Sequence, residues 1–403
     1  MNKLAIDGGK PAFEKDELAK LTPAWPPAYP ETEQKLLEIY RSGKWGLCGQ
    51  YEQMLMNDFA AFQDAKYAVW MCNGTTTLEC ALLALGVGPG DDVIVPGVTW
   101  IATAEAPIYV GATPVIVDID PETLCLDPAK FEEAITPRTK AVIPVHLYSA
   151  IADMDKINAI AKKHGIHVIE DCAHAHGAKQ HGKGTGSLSE FGSFSFQLSK
   201  LMTAGEGGCL TTTNDEHLAD LAFRLSHIGN SQLHPKDPLQ TGLECHQYRF
   251  TEFQAAIIYD QLQHQAECRA KRQANVKIVC DIMKDIPAVQ LQKSSYDDDL
   301  RDYYFLSFLI QKEYLKEGID RAWIFSALRA EGTPLGGGWG KPLYKSPAWN
   351  IPEDRFIKHD TSVCEDVMAN RLMATLHGLL LAEPAVLTRW AEGVRKVMLA
   401  AMK

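Results

Sequence analysis

A single lysine, Lys200, stands between a short alternating run at 193–197 and the glycine-rich Ala204-Gly205-Glu206-Gly207-Gly208, after which strand-like alternation resumes at 209–213. An amine held in a short loop between two strands can be stripped of water. That lowers its pKa and leaves it a neutral nucleophile near pH 7, suited to forming a Schiff base with a carbonyl compound. A lone loop lysine is otherwise an ordinary solvated cation, so its reading depends on what other loops bring to it.

Three further stretches carry usable chemistry. In Cys72-Asn73-Gly74-Thr75-Thr76-Thr77 a strand turns into a helix. Gly74 permits close backbone approach, and Thr75 and Thr76 offer N–H groups and hydroxyls at the positive helix end, which makes an anion site. The alternative is a helix cap made by Asn73 or a threonine. No Gly-Lys-Ser/Thr follows, so this is not a P-loop. In Val98-Thr99-Trp100-Ile101-Ala102-Thr103 the indole of Trp100 either stacks on a planar heteroaromatic ring or joins the core. In Val168-Ile169-Glu170-Asp171-Cys172-Ala173-His174-Ala175-His176-Gly177 two carboxylates end an apolar run. A carboxylate buried there needs a cation, and a protonated pyridine nitrogen would serve. Cys172, His174 and His176 at alternate positions allow a metal site or histidines simply hydrogen-bonded in a crevice; no metal is expected. The stretch His181-Gly182-Lys183-Gly184-Thr185-Gly186 lacks dinucleotide-loop spacing and reads as a mobile connector.

The elements that must position these groups alternate. Strands are expected at 67–72, 92–96, 114–118, 141–146 and 167–170, with helices at 75–85, 103–110, 130–135 and 154–164. Strands this apolar imply an α/β fold with a mostly parallel central sheet flanked by helices on both faces. In such sheets ligands gather at the carboxyl ends of strands, and the three stretches above all follow strands. Helices at 216–225 and 252–273 come next. A smaller α+β C-terminal domain then shows alternation at 303–310 and helices at 322–330 and 385–402. The division falls near residue 265: a large domain with an N-terminal arm, 1–265, and a small domain, 266–403. The arm contains a proline-rich extended segment at 23–30 that cannot be regular helix, followed by a helix at 31–41, a loop at 46–49 and a helix at 52–62. Gly336-Gly337-Gly338-Trp339 reads as a hinged flap over the substrate or a flexible surface loop.

The chain has 403 residues and a formal net charge of -11, which argues against a general nucleic-acid binder because phosphate neutralisation needs clustered Lys and Arg. Ten cysteines without a Cys-x-x-Cys pair indicate reduced thiols and a cytoplasmic location. No apolar run approaches the roughly 20 residues that cross a bilayer, and the first residues lack a secretory pattern.

A phosphate cradle, a stacking aromatic, a buried carboxylate for a ring nitrogen and a Schiff-base lysine together make the set that pyridoxal 5'-phosphate requires. The sequence also resembles the sugar and cyclitol aminotransferases of the DegT/DnrJ/EryC1/StrS family, from Trp25 to Pro384. The resemblance is most specific in Gly88-Pro89-Gly90-Asp91-Asp92-Val93-Ile94-Val95-Pro96, Ile143-Pro144-Val145-His146-Leu147, the 170–177 stretch and Ser195-Phe196-Gln197-Leu198-Ser199-Lys200. Thr99 to Thr103, Leu201 to Gly208 and Leu380-Leu381-Ala382-Glu383-Pro384 are similar to the branch holding scyllo-inosose and 2-deoxy-scyllo-inosose aminotransferases and 3-amino-5-hydroxybenzoate synthase.

The resemblance implies a pyridoxal-phosphate-dependent transferase of fold type I, aspartate aminotransferase-like, acting as a homodimer whose active site is shared between subunits. It implies that Lys200 forms the Schiff base and moves the proton, and that Asp171 holds the pyridine nitrogen protonated. Trp100 stacks on the ring, while Gly74, Thr75, Thr76 and Ser195 bind the phosphate and His174 approaches the ring. Relatives reach the phosphate across the dimer with the asparagine of Gly-x-Asn-Tyr-Arg; here Cys245-His246-Gln247-Tyr248-Arg249 puts Gln247 at that place. Relatives also follow an aromatic residue with glycine where this chain has Tyr148-Ser149-Ala150. The implied donor is L-glutamine or L-glutamate and the acceptor a keto-cyclitol or keto-sugar. Two other activities stay open: dehydration and aromatisation to an aminohydroxybenzoate, and non-catalytic regulation by a bound cofactor.

Overall fold

The structure is a computed structural model, and it describes residues 3–46, 49–213, 215–231, 242 and 244–403. Leu47 and Cys48, within the expected 46–49 loop, lie outside the described residues. Eight strands form one sheet in the order β1-β9-β8-β5-β4-β2-β3-β12: β1 (Tyr67–Met71), β2 (Asp92–Pro96), β3 (Thr113–Val117), β4 (Thr139–Val142), β5 (His167–Asp171), β8 (Phe191–Ser195), β9 (Gly208–Thr212) and β12 (Ile357–Lys358). Only β9 runs against its neighbours, pairing antiparallel with both β1 and β8. β6 (Lys179–Gln180) and β7 (Lys183–Gly184) make a small hairpin, and β10 (Val289–Leu291), β11 (Phe305–Ile310) and β13 (Leu372–Leu376) form a separate antiparallel sheet.

Val93, Ile94 and Val95 in β2 are fully buried, because helices cover both faces of this central strand and leave no polar side. Side-chain caps start the covering helices: Asp127 accepts the N–H of Ala129, Asp153 that of Lys156 and Asp215 that of Leu218. Among the described residues no helix is long and apolar enough to cross a membrane, and the nine described cysteines are free thiols.

The helix Glu252–Met283 opens on a Thr251/Gln254 capping box and is 32 residues long. Its start sets Ile258 and Leu262 in a core with Trp70, Phe194 and Phe196, while its end sets Val276, Val279 and Met283 in the core of the small sheet with Phe308 and Trp390. It runs ten residues past the expected end at 273, since polar residues such as Lys271, Arg272 and Asn275 interrupt the apolar period there. Between the two cores Arg272 and Asp302, both without solvent exposure, form an ion pair at 2.7 Å. Replacing Arg272 with methionine leaves Asp302 charged and unpaired, and is expected to cost roughly 3–5 kcal/mol of stability in chemical denaturation.

Two other segments differ from expectation. Strand β4 stops at Val142 rather than 146 because Pro144 has no N–H to donate; Asp171 instead donates its N–H to the Pro144 carbonyl (2.8 Å). The stretch 181–186 is anchored, not a mobile connector: Gly184 N–H binds Asp64 and Gly186 N–H binds Glu170. The proline-rich arm packs on the main body, where Trp25 donates its indole N–H to the Leu198 carbonyl (2.9 Å) and meets His377 edge-on.

Candidate active site

Strand β5 delivers its two terminal carboxylates to opposite faces, as successive strand residues must be. Glu170 is consumed by structure: it accepts from Gly186 N–H (2.7 Å), Leu188 N–H (2.8 Å) and the Ser189 hydroxyl (3.1 Å), and its Oε2 lies 3.0 Å from His146 Nε2. His146 Nδ1 accepts from Ala152 N–H (3.2 Å), which leaves the ring proton on Nε2 for Glu170. His146, Glu170 and Cys172 bring their ligating atoms within 4.8 Å of one another, but these hydrogen bonds engage Glu170 and both nitrogens of His146. Among the described residues Cys172, His174 and His176 do not gather as a metal site; His176 binds the Ser195 carbonyl (2.9 Å) instead.

Asp171 faces a cavity of about 690 Å³ lined also by Gly74, Thr75, Trp100, His174, Ser195 and Lys200. Its Oδ2 accepts the Thr103 hydroxyl (2.8 Å) and its Oδ1 the N–H of Ala173 (3.1 Å). Burial pushes its pKa up, against the pull of those two donors and of the Lys200 charge. Because Thr103 spends its proton on Asp171, the Thr99 hydroxyl 2.8 Å away donates to Thr103. This chain fixes the rotation of the carboxylate. Thr103→Val is expected to lower kcat about three- to tenfold by removing one hydrogen bond to a charged group, measured in steady state with saturating donor.

Lys200 sits on the loop after β8, held by its N–H to the Gln197 carbonyl (2.8 Å). Its Nζ lies 4.8 Å from the centroid of the Tyr304 ring, a cation–π distance. Burial lowers its pKa to about 8, with the Asp171 charge opposing. Tyr304 also stacks on His174 (4.1 Å between centroids), and its hydroxyl is 2.8 Å from that of Ser199. Ser199 donates to Gln197 Oε1 (2.8 Å), so Tyr304 donates to Ser199. His174 Nδ1 accepts the Tyr148 N–H (3.4 Å), placing the imidazole proton on Nε2, and burial holds its pKa well below the ordinary value.

Tyr148 and Ser149 are both left-handed (φ 58° and 72°), a conformation that only glycine adopts without steric cost. Here the Ser149 hydroxyl donates to the His174 carbonyl and accepts the Tyr304 N–H (2.9 Å), so one side chain ties together the two stacked rings.

The phosphate cradle has the capped form that the sequence left open. Asn73 Oδ1 accepts the N–H groups of Thr75 (3.0 Å) and Thr76 (2.9 Å), and Thr76 donates its hydroxyl to the Asn73 carbonyl (2.9 Å). Thr76 therefore has neither donor left and does not line the cavity, a correction to its expected place. Gly74 approaches Ser195 so closely that a Cβ there would lie 2.8 Å from Ser195 Cβ; Gly74, the Thr75 hydroxyl and Ser195 remain as the cradle. Gln247 is bridged by its backbone to His227 and does not line this cavity. Thr103 and Tyr304 line it without having been singled out for that role, and Trp339 lines it from the glycine-rich segment expected as a flap or a surface loop. The four-residue step from Thr99 to Thr103 signalled the first, and nothing in local spacing signalled Tyr304.

Pyridoxal phosphate fits these residues: a buried carboxylate with two donors and no ion-pair partner among the described residues waits for a cationic ring nitrogen, a partly neutral amine for an aldehyde, and a side-chain-free cradle for a phosphate. The sheet, with its one reversed strand, and this site define a pyridoxal-phosphate-dependent aminotransferase of fold type I. The chain belongs to the DegT/DnrJ/EryC1/StrS aminotransferase family, which matches residues 28–384.

It is 35% identical to the L-glutamine:2-deoxy-scyllo-inosose aminotransferase of Streptoalloteichus tenebrarius over 98% of this chain and 97% of that one. It is 39% identical to the enzyme of the same name from Micromonospora echinospora over 82% and 80%. Among solved structures it is similar to 3-amino-5-hydroxybenzoic acid synthase (TM-score 0.83, 30% identity, 94% of this chain and 99% of that one). It is also similar to an aminotransferase from Psychrobacter cryohalolentis (TM-score 0.86, 30% identity, 94% and 99%).

Proposed function

We propose that the enzyme transfers the amino group of L-glutamine to a keto-cyclitol related to 2-deoxy-scyllo-inosose. The observation that carries this reading is the charge of the cavity: among its described lining residues Lys200 is the one cation. A nucleotide-linked keto-sugar brings a diphosphate that needs Lys or Arg partners, whereas a free polyol ketone does not. The names of the relatives at 35% and 39% identity agree with this choice.

Pyridoxal phosphate supplies an aldehyde that takes up the donor nitrogen and a ring that withdraws electrons. The residues do the rest. Lys200, its pKa lowered by burial, takes the α-proton of the amino donor in the first half of the reaction and in the second delivers a proton to the former ketone carbon of the acceptor. Asp171 keeps the ring nitrogen protonated, and Thr103 keeps Asp171 aimed. Trp100, half exposed to the cavity, covers one ring face; Gly74, Thr75 and Ser195 hold the phosphate. His174 offers its Nε2–H toward the ring substituents. We assign Gln247 to the phosphate of a second copy in a homodimer, in the cytoplasm. The division at residue 265 separates a cofactor-binding part from a C-terminal part that adds Tyr304 and Trp339 to the cavity.

The test uses the two halves of the reaction. L-glutamine should bleach the lysine-linked cofactor absorbance, and 2-deoxy-scyllo-inosose or scyllo-inosose should restore it. Restoration by nucleotide keto-sugars alone would refute the acceptor. The similarity to 3-amino-5-hydroxybenzoic acid synthase makes water loss with an aromatic product the competing outcome, visible by its ultraviolet absorbance.

A further inference from the structure

Trp339 lines the cavity but has no part in the cofactor chemistry above. It sits in a segment where Gly336, Gly337, Gly338 and Gly340 surround one indole, yet the segment is pinned. Gly336 exchanges both backbone hydrogen bonds with Ala374 of β13 (2.9 and 2.8 Å). Gly338, at φ +59°, lies so close to Tyr148 that a Cβ would collide with the phenol oxygen. The indole is half-buried, with ring centroids 5.4 Å from Tyr148, 5.6 Å from His174 and 6.4 Å from Trp100. A large apolar surface is thereby fixed at the cavity on a backbone with little freedom to move it.

We propose that Trp339 is the specificity-determining residue for the acceptor, receiving the face of a cyclitol ketone whose hydroxyls are all equatorial. The proposal rests on the keto-cyclitol reading. In such a chair every hydroxyl lies in the rim and each face presents only axial C–H bonds, so the faces are apolar and the rim polar. An indole accepts C–H bonds against its ring. One axial hydroxyl on that face would be pressed against the ring with no hydrogen-bond partner, and the lost hydration disfavours it. Gln197 and Glu206, lining the same cavity, offer polar groups for the rim. Stereochemistry is thus discriminated by a flat surface.

The test compares wild-type holoenzyme with Trp339→Ala and Trp339→Phe, using scyllo-inositol (all hydroxyls equatorial) and myo-inositol (one axial) as non-reacting probes. Binding is read by saturation-transfer NMR and competition. Wild type should bind scyllo-inositol at least about fivefold more tightly than myo-inositol. Trp339→Ala should weaken scyllo-inositol and raise KM for 2-deoxy-scyllo-inosose about tenfold, and erase the preference. Trp339→Phe should keep most of both. Bleaching by L-glutamine should be slowed by a smaller factor than that by which the acceptor KM rises in either variant. An alanine variant that keeps affinity and preference within twofold overturns the proposal, as does one whose donor half-reaction collapses equally. Wild type that binds neither inositol and turns over only nucleotide keto-sugars overturns the acceptor reading and this proposal together.

Discussion

Lys200→Ala is expected to lower turnover by about 10⁴-fold or more, because the same amine both holds the cofactor and moves the proton. The variant should also lack the visible absorbance of the lysine-linked cofactor while keeping the fold, since Nζ makes no hydrogen bond among the described residues and contacts the Tyr304 face. Full turnover in the variant would remove Lys200 from the mechanism. The pH dependence follows from the pKa of about 8 in the cofactor-free protein. Only the neutral amine attacks an aldehyde, so the rate at which the apoprotein captures pyridoxal phosphate should rise about tenfold per pH unit below 8 and level off above it. A lysine with the ordinary value near 10.5 would show no plateau before about pH 10.

Asp171→Asn should reduce kcat by at least about a hundredfold, because an amide cannot keep the ring nitrogen protonated where charge develops. Its effect on stability should have the opposite sign. Burial raises the Asp171 pKa, so the ionised carboxylate is the form that folding disfavours, and the penalty grows as pH rises through the folded pKa. The cofactor-free Asp171→Asn protein should then be at least as thermally stable as wild type at pH 7. Loss of stability together with loss of activity would make Asp171 a structural residue.

Local pattern carried the fold a long way and the site part of the way. Apolar runs bounded by glycine and proline placed the strands Asp92–Pro96 and His167–Asp171 within a residue, because a buried parallel strand needs apolar side chains on both faces. Strands β12 and β13 went unread: β12 is two residues long, and the Leu372–Leu376 run follows a helical turn without a break. Lys200, Asp171, Gly74, Thr75 and Trp100 were legible because each lies in a loop or strand end at the carboxyl edge of one sheet, while the roles of His174 and Ser195 came from the family resemblance; all seven line one cavity. Tyr304 was not, since it immediately precedes strand β11 of the second sheet and meets Lys200 only through tertiary packing. Thr76 shows the limit of type and spacing: the residue was in the right turn, but Asn73 had already taken its donors.

Transfer of label from donor to acceptor distinguishes amination of the ketone from every other outcome. Holoenzyme given L-glutamine labelled with ¹⁵N at the α-amino position and 2-deoxy-scyllo-inosose should yield an aminocyclitol carrying the label at the former ketone carbon, with one labelled nitrogen per glutamine consumed. A product without the label, or an aromatic product formed by loss of water, would contradict the assignment as a cyclitol aminotransferase.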